Sequence, residues 1–434
     1  MLCKKLTFID DDYTNKYNFL MKTIIIGGGP AGMIAAISAA DSGSDVILFE
    51  KNEKLGKKLF ITGKGRCNVT NNCEKDKFFD NIMGNSKFLY SAFAKFDNHA
   101  LMELIESLGT PLKVERGERV FPVSDHSSDI IRALTKGLKD RAVEVRLNDS
   151  VKEILTEDNI AKGVLTDKGE KYTADKVIVC TGGVSYKSTG STGDGYIWGS
   201  KTGHRITTPK PSLVPLVTHD KWVYDLQGLS LKNVKLSLYI DGKVKYSDMG
   251  EMLFTHFGLS GPLVLTASAY LASAKDYKEA YVIIDNKPAL SFEEFDKRLI
   301  RELTAGNNKE IKNILGEIYP SKMAKIICGL ARIDQYKKCN EIKKEERNAL
   351  VEITKKMKIM VNRTRDFDEA IITHGGISLK DVNPKTMESK LIKGLYFAGE
   401  VLDLDALTGG FNLQIAFSTG YLAGCNEGGG YYEY

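Results

Sequence analysis

The stretch KTIIIGGGPAGMIAAISAADSGSDVILFEK, residues 22–51, decides the fold. Residues 22–26 form an isoleucine-rich run that is typical of a buried parallel strand. A Gly-x-Gly-x-x-Gly turn follows, then an alanine-rich segment that predicts a helix ending at Gly43, and then a second apolar run that ends at Glu50. Strand, glycine turn, helix, strand and terminal acid in this order predict a β-α-β unit that binds a dinucleotide.

The turn and the helix start form the predicted pyrophosphate site. Gly27 permits the tight turn, Gly29 lets a pyrophosphate approach the backbone, and Gly32 allows the helix to pack closely on the strand. The helix start, with Pro30 and Ala31, presents free N–H groups and the positive end of the helix dipole to that pyrophosphate.

The C-terminal segment GLYFAGEVLDLDALTGGFNLQIAFSTGYLAG, residues 394–424, indicates which dinucleotide is bound. A short strand ends at Gly399-Glu400, where an acid is expected to hold the ribityl chain of FAD. A helix over residues 412–423 would then point its N-terminus at the flavin ring and favour the reduced, anionic form. Glu50 can accept hydrogen bonds from the adenosine ribose and would repel a 2′-phosphate, which argues against a 2′-phosphorylated nucleotide in this pocket. The C-terminal segment makes FAD, rather than NAD, the predicted cofactor. With the strand and turn DKVIVCTGG, residues 175–183, the candidates here are Thr181, Gly182, Gly183, Gly399, Glu400, Gly410, Phe411, Asn412 and Leu413.

The loop TGKGRCNVTNNC, residues 62–73, has two interpretations. Cys67 and Cys73 could form a redox pair of the kind that disulfide reductases place after their first FAD unit. Five residues separate these cysteines, NVTNN is poor helix material, and no second Gly-x-Gly-x-x-Gly follows a strand later in the chain. The alternative is a flavin cradle, in which glycines allow close backbone approach and cations stabilise negative charge. Its candidates are Lys51, Lys58, Gly65, Arg66, Cys67 and Asn68 for cofactor binding and Lys64 for catalysis.

The middle of the chain changes character twice. Residues 211–290 alternate short apolar and polar runs and predict an inserted antiparallel β domain, a sheet or a barrel. Residues 291–356 contain amphipathic, densely charged segments and predict a helical subdomain. We therefore predict an α/β fold in which residues 21–210 and 357–434 form a discontinuous Rossmann-like FAD-binding domain.

The remaining composition limits the class of protein. Residues 1–20 have an acidic cluster and no apolar core, so they predict an N-terminal extension before a natural start at Met21 rather than a signal peptide. Seven scattered cysteines favour a reducing cytoplasm over a disulfide framework. The apolar residues 261–274 predict a buried helix because they are too few to span a membrane. A net charge of +5 permits anionic ligands but is weak evidence for nucleic acid.

Two histidines complete the catalytic candidates. His256, in THFGLSGP, and His374, in THGGISL, lie in glycine-flanked turns, and histidine titrates near neutral pH. A structural histidine bonded to the backbone is the equal alternative for each. The spacing of cysteines and histidines indicates no metal site.

Six longer motifs carry a family resemblance: GKKLFITGKGRCNVTN (56–71), RVFPVSDHSSDII (119–131), TGGVSYKSTGSTGDGY (181–196), GEMLFTHFGLSGP (250–262), THGGISLKDVNPKTMESK (373–390) and GLYFAGEVLDLDALTGGFNLQIAFSTG (394–420). In these motifs the chain resembles the BaiN-like / aminoacetone oxidase family, also called YhiN-like, of bacterial FAD-dependent oxidoreductases. The resemblance implies FAD held by a discontinuous Rossmann-like domain with an inserted region. It also implies one of two activities, an NAD(P)H-dependent ene-reductase of the bile-acid type or an amine oxidase acting on aminoacetone.

The predicted function is therefore an FAD-dependent oxidoreductase that transfers a hydride between flavin and a small organic substrate. NAD(P)H is the expected transient reductant, with an O₂-using amine oxidase as the alternative. A third hypothesis, an FAD-containing RNA-binding protein, is motivated by the helical lysines, although such lysines usually form a solvated face. Because no second dinucleotide motif is present, NAD(P)H would have to leave the substrate cleft before the acceptor binds. No membrane partner is expected, and the residues indicate neither the substrate nor the oligomeric state.

Overall fold

The structure, a computed structural model, describes residues 20–425. The extension predicted for residues 1–20 therefore lies, except for Leu20, outside the described residues. In chain order the strands are β1 (Lys22–Ile26), β2 (Asp45–Glu50), β3 (Thr70–Asn71), β4 (Ile82–Met83), β5 (Leu112–Glu115), β6 (Arg119–Pro122), β7 (Glu144–Leu147), β8 (Val151–Glu157), β9 (Ile160–Thr166), β10 (Lys171–Thr173), β11 (Lys176–Val179), β12 (Ile206–Ser212), β13 (Leu216–Thr218), β14 (Ser230–Ile240), β15 (Lys243–Phe254), β16 (Gly258–Ser260), β17 (Ala280–Asp285), β18 (Met357–Thr364), β19 (Ile372–Ile377), β20 (Leu395–Phe397) and β21 (Asp405–Ala406). The helices are α1 (Pro30–Asp41), α2 (Lys57–Ile61), α3 (Lys75–Asp80), α4 (Tyr90–Lys95), α5 (Asn98–Ser107), α6 (Ser127–Asp140), α7 (Asp194–Lys201), α8 (Pro262–Ser273), α9 (Phe292–Ala305), α10 (Ile311–Ile318), α11 (Ser321–Leu330), α12 (Lys344–Lys355) and α13 (Phe411–Gly424).

A five-stranded parallel sheet with the order β20-β11-β1-β2-β7 contains the predicted β-α-β unit. The strand β1 is paired on both edges, and its isoleucines are buried in the hydrophobic core that also contains residues of α1 and α13. Pro30 begins α1 at the position where a missing N–H loses no intrahelical hydrogen bond. The sheet brings strands from both ends of the chain together, as the prediction of a discontinuous Rossmann-like fold requires.

The helices α1 and α13 pack against each other at the distance that only glycine permits. A Cβ atom at Gly420 would lie 2.3 Å from the carbonyl oxygen of Ala31, and one at Gly424 would lie 2.4 Å from that of Ala35. These separations are far below van der Waals contact, so the two backbones approach closely. The contact joins the first and the last helix of the described residues.

The insert is a closed antiparallel barrel with the order β13-β16-β15-β14-β17-β18. Its long hairpin, β14 and β15, turns at Asp241-Gly242, and both of these residues have a positive φ. The helices α9 to α12 lie between β17 and β18 in the chain and contribute Phe295, Ile314 and Leu350 to the hydrophobic core of the barrel. The barrel and the helices therefore form one packed unit.

One boundary differs from the sequence analysis, which assigned residues from 357 onward to the FAD-binding domain. The strand β18, Met357–Thr364, pairs instead with β13 and β17 and closes the barrel. Its alternating burial is typical of a barrel strand, but nothing in the sequence separates it from the chain that follows.

A two-stranded antiparallel ribbon, β12 and β19, carries the chain into the insert and back, with Ser212 opposite Ile372. The apolar residues 261–274 form the buried helix α8, as predicted. Within residues 20–425, no helix is long and apolar enough to cross a membrane. The predicted fold class, a Rossmann-like α/β domain with an inserted barrel and helices, is confirmed.

Candidate cofactor and substrate site

A cavity of about 910 Å³ lies where the carboxyl ends of β1, β2 and β11 meet residues 62–71 and the first residues of α8 and α13. Ligands of open α/β sheets bind at this edge of the sheet. The volume is near the upper end of the range of about 300–1,000 Å³ for ligand pockets, so the cavity suits a large ligand.

Most of the predicted cofactor residues line this cavity. They are Gly27, Gly29, Pro30, Ala31, Glu50, Lys51, Lys58, Arg66, Asn68, Thr181, Gly182, Glu400, Gly410, Phe411, Asn412 and Leu413, and the catalytic candidate Lys64 lines it as well. The other predicted residues are not part of the lining: Gly32, Gly65, Cys67, Gly183, Gly399, His256 and His374. Motifs from both ends of the chain thus converge on one site.

The three glycines of the turn meet different surroundings. A Cβ atom at Gly32 would lie 1.8 Å from the carbonyl oxygen of Gly27, and a Cβ atom at Gly27 would lie 2.5 Å from that of Cys180. A Cβ atom at Gly29 would meet no protein atom within 4 Å. Gly27 and Gly32 therefore allow close packing of the protein backbone, whereas the backbone at Gly29 is open to a ligand.

The carboxylate of Glu50 is fixed at the end of β2. Its Oε2 accepts a hydrogen bond of 2.7 Å from the Gly28 N–H, and its Oε1 accepts one of 2.8 Å from the Asn52 N–H. The buried negative charge lies beside the glycine turn, where it repels a phosphate placed on the ribose.

Glu400 lies across the cavity from the first unit and is bound by residues from three other segments. Its Oε2 forms an ion pair of 2.7 Å with Lys58 Nζ, and its Oε1 accepts hydrogen bonds from Ser185 Oγ at 3.0 Å and the Thr373 N–H at 2.9 Å. The sequence analysis chose Lys58 and Glu400 separately and did not select Ser185 or Thr373. A Cβ atom at Gly183 would lie 2.3 Å from Thr373 Oγ1, so this glycine makes room for the network.

The loop that holds Lys64 and Arg66 has an irregular backbone. Gly63, Lys64, Gly65 and Cys67 all have left-handed φ values between 56° and 84°.

Arg66, predicted to bind the cofactor, lines the cavity and is also paired with two acids. Its guanidinium bonds Glu115 and, at 2.6 Å, Asp125, and it lies 4.2 Å from the centre of the Phe121 ring. The hydrogen bond to Glu115 is the main cause of the raised pKa of Arg66. Arg66 thus helps to build the wall of the cavity, with its charge balanced by two acids that lie far away in the sequence.

Two buried polar atoms in the cavity wall indicate a ligand. Asn68 Oδ1 and Thr181 Oγ1 are buried and have no hydrogen-bond partner within the described residues. Buried polar atoms are nearly always paired, so atoms of this kind at a cavity are expected to bond a ligand. The open glycine backbone, the acid at β2 and these two atoms fit FAD.

The start of α13 faces the same cavity. Its N-cap residue Gly410 has a left-handed backbone, and no side chain caps the first N–H groups of the helix. The amide of Asn412 is bound to the backbone of Ala406, with Nδ2 donating at 2.7 Å and Oδ1 accepting at 2.8 Å. Asn412 therefore holds the loop before α13, and the helix N-terminus remains available to a ligand.

One end of the cavity is apolar. The ribbon, its connections to the barrel, α8 and the loop before α13 supply the lining side chains, which are Leu213, Pro262, Leu265, Ile371, Ile372, Leu404 and Leu407. The sequence analysis did not select these residues, because isolated apolar residues on separate elements give no periodic signal. This apolar end is the candidate substrate site.

Neither histidine candidate reaches the cavity. His256 is exposed in the turn between β15 and β16, beside Phe257. His374 Nδ1 lies 2.8 Å from Asp405 Oδ1, and the pair joins β19 to β21. Burial alone would lower the pKa of His374, but Asp405 and Asp403 outweigh it and the pKa is raised, while burial raises the pKa of Asp405.

The chain is similar to known proteins over almost its whole length. A family profile described as the HI0933-like protein Rossmann domain matches residues 21–426. The chain belongs to the HI0933-like family. This confirms the predicted resemblance and the predicted enzyme class, an FAD-dependent oxidoreductase.

Two members of known name are similar to this HI0933-like protein over almost their whole length. A 3-dehydro-bile acid delta(4,6)-reductase of Clostridium scindens is 32% identical over 404 residues, which span 92% of this chain and 97% of the relative. A ribosomal RNA dihydrouridine synthase of Haemophilus influenzae is 30% identical over 404 residues, which span 92% and 96%. Among solved structures, a 3-ketosteroid delta1-dehydrogenase of Sterolibacterium denitrificans shares the fold, with a TM-score of 0.51, 14% identity and coverage of 93% of this chain and 98% of that chain.

The first prediction concerns the glycine turn. We expect Gly29→Val to give soluble apoprotein with the thermal stability of wild-type apoprotein and at least about 100-fold weaker FAD binding, because its side chain enters open space that a pyrophosphate needs. The control Gly32→Ala should instead lower stability by about 1–3 kcal/mol or more, because its Cβ overlaps Gly27. Flavin absorbance after gel filtration and thermal unfolding distinguish the two, and full FAD occupancy in Gly29→Val would contradict the assignment.

The second prediction concerns Cys67 and Cys73, which are free thiols and buried. Burial raises the pKa of Cys67 to about 12 and also raises that of Cys73, so neither is a ready thiolate. We expect Cys73→Ser to retain bound FAD and flavin turnover. Loss of turnover with FAD still bound would restore the hypothesis of a redox pair.

The third prediction concerns the His374–Asp405 pair. A raised pKa in the folded state means that protonated His374 stabilises the fold at pH values below about 6.5, and that this contribution is lost as the pH rises through the folded pKa. The excess free energy of unfolding of wild type over His374→Gln should therefore fall as the pH rises above about 6.5. When the same comparison is made in Asp405→Asn protein, the difference should not change with pH. Urea unfolding of wild type, the two single variants and the double variant measures the four free energies of unfolding. A pH-independent difference would show that the pair is not charged.

Proposed function

We propose that this protein reduces a carbon–carbon double bond conjugated to a carbonyl group, with NAD(P)H as the source of electrons. The observation that carries the proposal is one continuous cavity that joins the dinucleotide cradle to an apolar end. A flat, mostly apolar ring suits the aliphatic walls formed by residues such as Leu265 and Ile372. FAD, when bound, supplies the hydride chemistry.

The names of the two similar proteins support this reaction class. A delta(4,6)-reductase of a 3-dehydro bile acid and a dihydrouridine synthase both saturate a ring double bond near a carbonyl. Their substrates differ greatly in size and polarity, so the shared feature is the bond that is reduced. We assign that bond type, and no particular substrate, to this protein.

The residues of the chain provide orientation and charge. The glycine turn and Glu50 would hold one end of the cofactor, and the free N–H groups of α13 would offer positive dipole to negative charge that develops at the other end. The apolar side chains exclude water from the substrate end, which strengthens those interactions. Because the described residues contain one dinucleotide cradle, donor and acceptor would use the same end in turn.

The charges at the cavity disfavour the alternative of an amine oxidase. Four acids line the cavity, and each is already bound to a backbone N–H or a lysine: Glu50, Asp149, Asp194 and Glu400. Seven lysine and arginine side chains also line the cavity and would repel a substrate ammonium group. Stoichiometric H₂O₂ formed from an amine without pyridine nucleotide would nonetheless favour this alternative.

An RNA substrate is the second candidate function, and a specific observation favours it. The dihydrouridine synthases of Haemophilus influenzae and Escherichia coli are 30% and 28% identical to this chain and act on ribosomal RNA by name. Retention of RNA at low salt and its loss at high salt would support it.

The test of the proposal is an anaerobic titration of the flavin-loaded protein with NADPH and then NADH. We expect prompt bleaching of the flavin absorbance by at least one of them, followed by recovery when an unsaturated ketone is added. Parallel double-reciprocal plots should accompany turnover, because donor and acceptor alternate. Absence of bleaching would mean that the electrons come from the substrate itself and would refute the proposal.

A further inference from the structure

Seven basic side chains line the cavity, and they fall into two groups. Four have an acidic partner: Lys51 pairs with Asp194, Lys57 with Glu53, Lys58 with Glu400, and Arg66 with Glu115 and Asp125. For the other three, Lys64, Lys77 and Arg119, no carboxylate of residues 20–425 lies within ion-pair distance. We call these three residues the cation rim.

Arg119 lies beside the loop that precedes α13. It is in register with Asn71 across β3 and β6, and Asn71 Nδ2 donates a hydrogen bond of 3.0 Å to the carbonyl oxygen of Gly409. The Arg119 guanidinium is 5.8 Å from the centre of the Phe121 ring, and Phe121 also lies against the loop that holds Lys64. Arg119 and Lys64 thus flank the same part of the cavity wall.

Lys77 lies on α3, which is linked to the loop before α13. Its carbonyl oxygen accepts a hydrogen bond of 2.7 Å from Asn81 Nδ2, and the Leu407 N–H donates one of 2.9 Å to the carbonyl oxygen of Asn81. Leu407 belongs to the apolar substrate end of the cavity. The segments that carry Arg119 and Lys77 are therefore linked to the loop before α13, which supplies Leu407 to the apolar lining of the cavity.

The balance of charge at the cation rim suits a phosphate. Three exposed cations without acidic partners exceed what one carboxylate neutralises, whereas a phosphate monoester carries about 1.5 to 2 negative charges at pH 7. Arginine and lysine both bind phosphate oxygens through charge-assisted hydrogen bonds. The cofactor's own pyrophosphate is expected at Gly29, so it does not account for the rim.

We propose that the cation rim binds a phosphate group of the molecule that exchanges electrons at this site. The inference rests on the proposed function, because it takes the substrate end as the place where donor and acceptor bind. The phosphate has two possible sources: the dinucleotide NADPH, with its 2′-phosphate and pyrophosphate, and the backbone of an RNA strand. The apolar wall would bind the ring that reacts, and the cation rim would bind the phosphate attached to the same molecule.

The test compares two double variants that lose the same charge. Lys77→Gln/Arg119→Gln removes two members of the rim, and the control Lys139→Gln/Lys232→Gln removes two exposed lysines outside the cavity that form no ion pair within the described residues. All four side chains are exposed, so both variants should fold, and bound FAD and thermal stability should equal those of wild type.

Binding is measured on the flavin-loaded protein without turnover, using NADP⁺, NAD⁺ and a fluorescein-labelled uridine 20-mer. We expect the rim variant to weaken at least one phosphate ligand about tenfold or more, with the control unchanged. A loss confined to NADP⁺ identifies the 2′-phosphate, and an equal loss for NAD⁺ identifies the pyrophosphate. A loss for RNA, with a salt dependence reduced by about two counterions, identifies the RNA backbone.

Two outcomes would overturn the inference. Equal binding of all three probes by the rim and control variants would show that the cations bind no phosphate. Loss of FAD from the rim variant alone would show that the rim belongs to the cofactor. Because these measurements need no reduction step, failure of the proposed function appears separately, as an absence of flavin bleaching by NADPH and NADH.

Discussion

The close contact of α1 with α13 is the interaction on which the rest of the molecule depends. Gly420 and Gly424 let the last described helix lie directly on the backbone of the first, so segments almost four hundred residues apart share one edge of the sheet. Both helices then begin at the same cavity, and each brings the positive end of its dipole to it. A side chain at either glycine would separate the helices and displace the two N-termini from each other.

The sequence signal for the candidate site is strongest where it is local. The glycine turn, Glu50 and the segment after Gly399 each identify themselves within a few residues, because a tight turn and a helix N-terminus require particular residue types in order. The partners of those residues could not be predicted in the same way. Ser185 and Thr373 reach Glu400, and Glu115 and Asp125 neutralise Arg66, through pairings that depend on tertiary structure alone.

The histidines and the barrel illustrate the same limit. His256 and His374 had equal claims from their glycine-flanked turns, yet one is exposed on the barrel and the other is tied to Asp405. The strand β18 has the alternation of a barrel strand but is separated by the helices α9 to α12 from the strands it completes. Register between distant strands is set by the packing of a whole core, which no short window of sequence contains.

The ribbon of β12 and β19 has a consequence for how such a protein can diversify. The chain leaves the cofactor domain after Ser212 and returns at Ile372, and these two residues face each other across the ribbon. Opposed residues of paired strands lie only about 5 Å apart, so the whole insert is attached through what amounts to a single hairpin. A module joined in this way can be exchanged for another, or shortened to a tight turn, without moving the strands that hold the dinucleotide. The apolar wall of the cavity would change with the insert, while the part of the cavity that binds the dinucleotide would stay the same.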